Sequence, residues 1–276
     1  MSTIKIAFVG TNSPDTYSQV WCQNAQELGY LSTINDISGL TKKDIVIYDK
    51  WVSKESAHTN ALKVLFFPDV FCESELGYLN ARKEILAATH ELVDVMIVPP
   101  NPMLIEYAQK LYQKPVFGMM FGVYTTYFTF VRPKFPHKKE DLGYCWSPFS
   151  DRRDALARKM NAQKIQCNGQ DMIDGMRSFR YMLNGHYTDI LNNEQRLTEI
   201  PLAMSIPVSE ELSDPEQLID LHIVPVQNYR KDMYTLQEQK EIVRHNLRTV
   251  FEKYNSRTSL EQILSHVMST SIYMSR

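Results

Sequence analysis

The chain has 276 residues, 43% hydrophobic and 22% charged, with a formal net charge of −2. This is the composition of a folded soluble protein of one large or two small domains; it gives no global electrostatic reason to bind nucleic acid, and no apolar run of about 18 residues is present to cross a membrane. The four cysteines, Cys22, Cys72, Cys145 and Cys167, form no CxxC pair, which speaks against a disulfide framework and against zinc.

The chain opens on MSTIKIAFVG, which runs directly into a strand-like segment without the basic and apolar regions of a signal peptide, so a cytoplasmic protein is expected. Short apolar or β-branched runs at 5–9, 44–48, 63–67, 94–98 and 115–119 read as strands. Between them, SQVWCQNAQELGY and NARKEILAATHELV carry apolar residues at helical spacing. Near residue 120 the alternation breaks at FGVYTTYFTFVRPKFPHKKED, whose aromatics, two prolines and four basic residues read as a linker or wall. Strand-like runs then resume at 142–146, 164–167, 188–191, 206–209 and 222–226. The expectation is an α/β chain of two Rossmann-like domains facing across a cleft: residues 1–120, a linker at 121–140, and 141–276. Leu247, Val250, Phe251 and Tyr254 lie at helical spacing in a carboxy-terminal helix or helix pair that packs back on the body.

The richest stretch is R196-L-T-E-I-P-L-A-M-S-I-P-V-S-E-E211. Asn192 and Asn193 suit a turn or cap, and Pro201 is tolerated in the first turn of a helix, so a helix is expected to start close to Glu199. Its amides and positive dipole end would seat a phosphate. Arg196 adds a forked cation suited to phosphate, and Glu199 can accept two hydrogen bonds from a ribose diol. Against this stands a plainer reading, an exposed Arg196–Glu199 helix pair worth about 0.3 kcal/mol.

RLTEIPLAMSIPVSEE resembles the R-x-x-E-x-x-A-x-G-x-P signature of two-domain GT-B glycosyltransferases that use nucleotide sugars, particularly the CgeB-like group, with Ser205 standing where the signature has Gly. DLGYCWSPFSDRRDAL is similar to the family's opening strand of the second domain, KIQCNG to its next strand, and PVFGMMFGVYTTYF to its crossover between domains. The resemblance implies that residues 141–276 bind the donor, a UDP-sugar, and that 1–120 faces the acceptor. Glu199 would then hold the donor ribose, and Arg196 and Arg153 its phosphates, with Arg152 the rival of Arg153 in SDRRD.

KVLFFPDVFCESELG places Asp69 just past a strand, as in a phage enzyme that glucosylates hydroxymethylcytosine in DNA, where the matching Asp is the general base. That resemblance implies a catalytic Asp69, with Glu73 and Glu75 as weaker rivals; helix capping is the competing role. The implied acceptor is a hydroxymethylated base in duplex DNA, inside a host cytoplasm, with a surface glycan or protein as the alternative. Asp15 on the first polar turn and Lys134, Lys138 and Lys139 beside the aromatic run would contact the acceptor, although a solvated linker explains the same lysines. The first turn lacks GxGxxG and no DxD is present, so neither a dinucleotide cofactor nor a metal is expected. A non-catalytic module that binds a nucleotide sugar is the reading outside enzymology.

Overall fold

The structure is a computed structural model that describes residues 4–10, 16–50, 52–55, 57–68, 84–85, 87–138, 140–146, 150–165, 169–186, 195–270 and 275. The expectations for Asp15, Asp69, Glu73, Glu75, Lys139, Cys72, Cys167, the 188–191 strand and the Asn192–Asn193 turn fall outside these residues. The chain divides into two compact units, 1–120 with 256–276, and 121–255.

The first unit holds six parallel strands: β1 (Lys5–Val9), β2 (Leu31–Ile34), β3 (Ile45–Asp49), β4 (Leu62–Phe66), β5 (Val95–Val98) and β6 (Val116–Gly118), ordered 2-1-3-4-5-6. Strands β3 and β5 are buried along their whole length, which is why IVIYD and VMIV are nearly continuous apolar runs: a parallel sheet with both faces covered leaves no side to solvent. Helix α1 (Tyr17–Glu27) turns Trp21 inward, edge-on to Phe66 at 4.6 Å. Helix α2 (Pro102–Tyr112) begins at Asn101, whose side chain accepts from the Met103 and Leu104 amides, with Pro102 in the first turn where no amide is needed.

The second unit holds five parallel strands: β7 (Glu140–Tyr144), β8 (Gln163–Lys164), β9 (Phe179–Asn184), β10 (Ile206–Ser209) and β11 (Val224–Pro225), ordered 11-10-9-7-8. Its helices are α3 (Asp151–Lys159), α4 (Gly169–Met176), the single turn α5 (Arg196–Glu199) and α6 (Leu236–Lys253). Helix α3 is capped by Ser150, carries Asp151 and Asp154 in its first turn and Arg158 and Lys159 in its last, so its charges oppose the helix dipole at both ends. Leu142, Trp146, Tyr181, Leu183, Ile206, Val208 and Val243 form the core between the sheet and α6.

Three features differ from the sequence expectation. A strand outside that expectation, β9 at Phe179–Asn184, lies between β7 and β10; FRYMLN has no β-branched residue to announce it. The 121–140 segment belongs to the second unit: Thr125–Phe130 is a 3-10 turn with Tyr127 buried, and Phe128 meets Phe251 of α6 edge-on at 4.4 Å. Finally, the last helix, α7 (Ser256–Met268), packs on the first unit. There Trp21 donates its indole N–H to the Ser256 carbonyl at 2.9 Å and Asn24 donates to the Ser256 hydroxyl at 2.9 Å. The amphipathic period that predicts a carboxy-terminal helix pair says nothing of which core each helix joins.

Where the second unit begins and ends, the chain crosses itself closely. Val123 pairs with Asn255, and a Cβ on Gly122 would lie 2.3 Å from the Asn255 amide nitrogen. Only glycine fits against that backbone.

Candidate functional site

In the second sheet the chain leaves β7 to one side for β8 and returns on the other side as β9. Adjacent strands whose connections run in opposite directions leave a crevice at their carboxyl ends, where α/β proteins bind ligands. A cavity of about 170 Å³ lies there, lined by Trp146, Arg153, Gly185, Gln195, Arg196 and Glu199 among others.

Arg153 reaches this crevice because Ser150 starts α3 just beyond β7, accepting the Arg153 amide at 3.2 Å. The residue is 5% exposed; its Nε donates to the Gly185 carbonyl at 2.7 Å, and its guanidinium lies 5.8 Å from the centre of the Trp146 ring. A strand end, a glycine carbonyl and an indole face thus fix a buried cation in orientation. Its neighbour Arg152, about 100° further around the helix, turns to Glu210 instead. The two form a forked pair at 2.6 and 2.8 Å, and Arg152 also donates to the His186 carbonyl at 3.1 Å. Burial pushes the Glu210 carboxyl up, but the Arg152 hydrogen bonds and the His186 amide outweigh it and hold Glu210 below the usual carboxylate range. Both arginines are therefore positioned, and Arg153 is the one that lines the crevice.

Arg196 and Glu199 enter from the α5 turn. Their side chains meet at 2.7 Å, 22% and 10% exposed, and Arg196 also touches the Met172 sulfur. The pair is thus largely buried at a cavity wall, unlike the solvated helix pair of the plainer reading. The expected helix start at Glu199 is corrected: α5 spans only Arg196–Glu199, Glu199 ends it, and Pro201 sits in the 3-10 turn Ile200–Ala203 that follows. Gln195 supplies no side-chain cap. One turn has too little aligned backbone to seat an anion by its dipole, so any phosphate affinity here rests on the side chains.

Ser205 is fully buried and turned away from the crevice, its hydroxyl within 3.0 and 2.9 Å of the Met176 and Phe179 carbonyls. It also accepts from Lys138, whose Nζ donates to Ser205 Oγ and to the Ala203 carbonyl, both at 3.1 Å. Burial, and then the nearby Arg177 charge, push the Lys138 ammonium down to about 7. Lys138 therefore does not stand in a solvated row with Lys134, which is exposed. Among the described residues no cluster of three His, Cys, Asp or Glu could hold a metal, and no helix is long and apolar enough to cross a membrane.

The crevice thus gathers Arg153, Arg196 and Glu199 and leaves Arg152 and Lys138 elsewhere. Sequence reasoning missed Trp146, Gln195 and Gly185. Trp146 closes an expected strand and flags itself as a bulky side chain at a strand end; Gly185 was hidden with β9, although its Asn-Gly pair is a turn signal.

No family model matches this chain, and no curated protein matches it. Among solved structures, the E. coli trehalose-6-phosphate structure bound with UDP-2-fluoro glucose aligns with a TM-score of 0.60 at 10% identity, over 96% of this chain and 99% of that one. An alpha,alpha-trehalose-phosphate synthase (UDP-forming) from Burkholderia vietnamiensis aligns with a TM-score of 0.52 at 10% identity, over 93% and 77%. For a GtfA/B complex the TM-score is 0.46 at 15% identity, over 93% of this chain, which spans 62% of that one. The likeness to the first two shows the fold: two parallel α/β sheets of the GT-B glycosyltransferase type, as the sequence led one to expect.

Proposed function

We propose that the chain transfers a sugar from a nucleoside diphosphate donor, a UDP-sugar, to an acceptor hydroxyl. The observation that carries this reading is the meeting of Arg153, Arg196 and Glu199 at the carboxyl ends of β7 and β9. Two cations against one carboxylate leave a net positive crevice that attracts a diphosphate, while the carboxylate can accept both hydroxyls of a ribose. As the acceptor oxygen bonds to the anomeric carbon, the bond from that carbon to the diphosphate breaks and charge collects on the leaving phosphate. Arg153, already held in place, stabilises that charge with little reorganisation. Arg196, paired with Glu199 without ligand, exchanges that partner for the phosphate as Glu199 takes the ribose. Asp69 stays the proposed base for the acceptor proton on the strength of its resemblance to the phage enzyme.

For the acceptor, the inward turn of Lys138 removes one of the three lysines proposed to follow DNA phosphates. This favours a glycan or protein hydroxyl over a hydroxymethylated base. The test is calorimetry with UDP, ADP and GDP, then incubation with UDP-sugars and either duplexes containing hydroxymethylcytosine or glycan and peptide acceptors, read by mass spectrometry. UDP binding with a mass gain on the glycan or peptide is the expected result. A gain on the modified base alone would restore the DNA reading, and binding without turnover on any acceptor would make the chain a nucleotide-sugar-binding module. Silence towards all three nucleotides would end the proposal.

A further inference from the structure

A larger cavity, of about 460 Å³, lies at the other edge of the second sheet and takes no part in the donor reading. It opens where the chain enters β7 and β9, between residues 135–138, Arg180 and the first turn of α6. Lys138, Arg180 and Lys240 line it, and no Asp or Glu is among its lining residues. Lys138 and Lys240 place their ammonium groups 5.9 and 5.8 Å from the centre of one ring, Phe135. When both are charged they repel, and the ring's weak attraction for each does not remove that repulsion.

Among the described residues, only Asp232 of the nearby carboxylates pairs with one of these cations, Arg180, and it does so from the solvent side. Glu238 is held in the Thr235 capping box, and Asp232, 80% exposed, reaches Arg180 only at 3.4 Å. The walls, by contrast, are firm. Tyr234 pairs its hydroxyl with His222 at 2.7 Å, and buried Gln239 donates to the Tyr234 carbonyl at 3.0 Å. Leu236 stands at the mouth 59% exposed, an apolar surface beside the cations.

We propose that this cavity is a second ligand site, taking a small organic phosphate whose apolar body lies on Phe135 and Leu236 while Lys240 and Arg180 hold its charge. A phosphate monoester carries up to two negative charges near neutral pH, which suits a lysine and an arginine in a cavity with no carboxylate in its lining. The site is built from side chains that the donor crevice does not use, so it stands or falls separately from the glycosyltransferase reading.

The probe is phenyl phosphate, titrated into isotope-labelled protein and followed by amide NMR, with phenol as its neutral counterpart. Shifts concentrated at Leu236, Gln239 and Lys240 are expected, at least fivefold weaker in Lys240→Gln and unchanged in Arg153→Ala. Lys240 is only partly buried, so its variant should fold, and thermal melting checks that it does. Shifts confined to Gly185 and Arg196, no shifts, an equal response to phenol, or wild-type affinity in Lys240→Gln would each overturn the proposal.

Discussion

The two edges of the second sheet handle charge in opposite ways. At the carboxyl edge, cations and carboxylates are buried together and already joined: Arg196 to Glu199, Arg152 to Glu210, Arg153 to a carbonyl and a ring. At the amino edge, cations of one sign gather around Phe135. A mixed, prepaired site keeps its geometry when empty and suits a ligand that offers both an anion and a diol. A site whose lining carries one sign, with only the exposed Asp232 against Arg180, gains most of its balance from what it binds.

Within the carboxyl edge the neighbouring arginines of α3 give the sharpest test. Arg153→Ala is expected to weaken UDP binding roughly 100-fold, about 2.8 kcal/mol, with a near-normal melting temperature. Calorimetry showing a loss of less than about threefold would move the donor site elsewhere. Arg152→Ala is expected to do the reverse, lowering stability by about 2 kcal/mol in urea unfolding while UDP affinity stays within about twofold. The partial exposure of both partners puts that loss below the value for a fully buried pair.

The Arg152 variant also carries an acid signature. Glu210 titrates lower when folded than when unfolded, so its contribution is present above the ordinary carboxylate range and is lost as pH falls through its depressed folded value. Arg152→Ala should therefore flatten the loss of stability below about pH 4.5. An unchanged acid limb would show that the pair does not hold the strand ends together.

Much of the first sheet could be read from letters alone, because runs such as IVIYD are apolar for a reason that periodicity exposes: burial on both faces. Leu31–Ile34 escaped notice because it lies half exposed at the sheet's edge, and edge strands need no such run. In the second sheet, β9 forms from residues without β-branching, whose strand state is imposed by neighbours on either side. The same limit applies at the site. Charge and spacing nominate Arg196 and Glu199, but the choice between Arg152 and Arg153 depends on which way α3 is rotated against β7 and β9, a tertiary fact. Lys138 is the inverse case: a basic, proline-bounded stretch reads as solvated, and only packing beneath Ala203 and Ser205 turns its ammonium inward.

A smaller effect tests whether the Arg196–Glu199 pair exchanges partners on binding. Glu199→Gln preserves shape but removes one charge and weakens acceptance from the ribose, so UDP should bind about tenfold more weakly. Uridine, which lacks the diphosphate, should lose a similar factor, while pyrophosphate should bind no worse, because Arg196 is released from its carboxylate. Equal losses for uridine and pyrophosphate would mean that Glu199 only holds Arg196 in place.

The last expected effect belongs to the amino edge and has a definite sign. Burial, with Arg177 nearby, disfavours the charged form of Lys138, whose folded pKa falls to about 7 against an unfolded value near 10.4. Between those values the unfolded chain binds more protons than the folded one at this residue, so Lys138 makes stability rise with pH over that window. Lys138→Met keeps a similar length, removes the titration and leaves Ser205 bonded to the Met176 and Phe179 carbonyls. Melting temperatures at pH 7 and 9.5, taken as the difference between wild type and variant, cancel the other groups that titrate in that range. The wild type should gain more than the variant by up to about 3 kcal/mol over this window, which is several °C in melting temperature at this chain length. A parallel response in the two proteins would show Lys138 to be solvated at its ammonium, and the contrast between a prepaired edge and a ligand-balanced one would then lose its deepest cation.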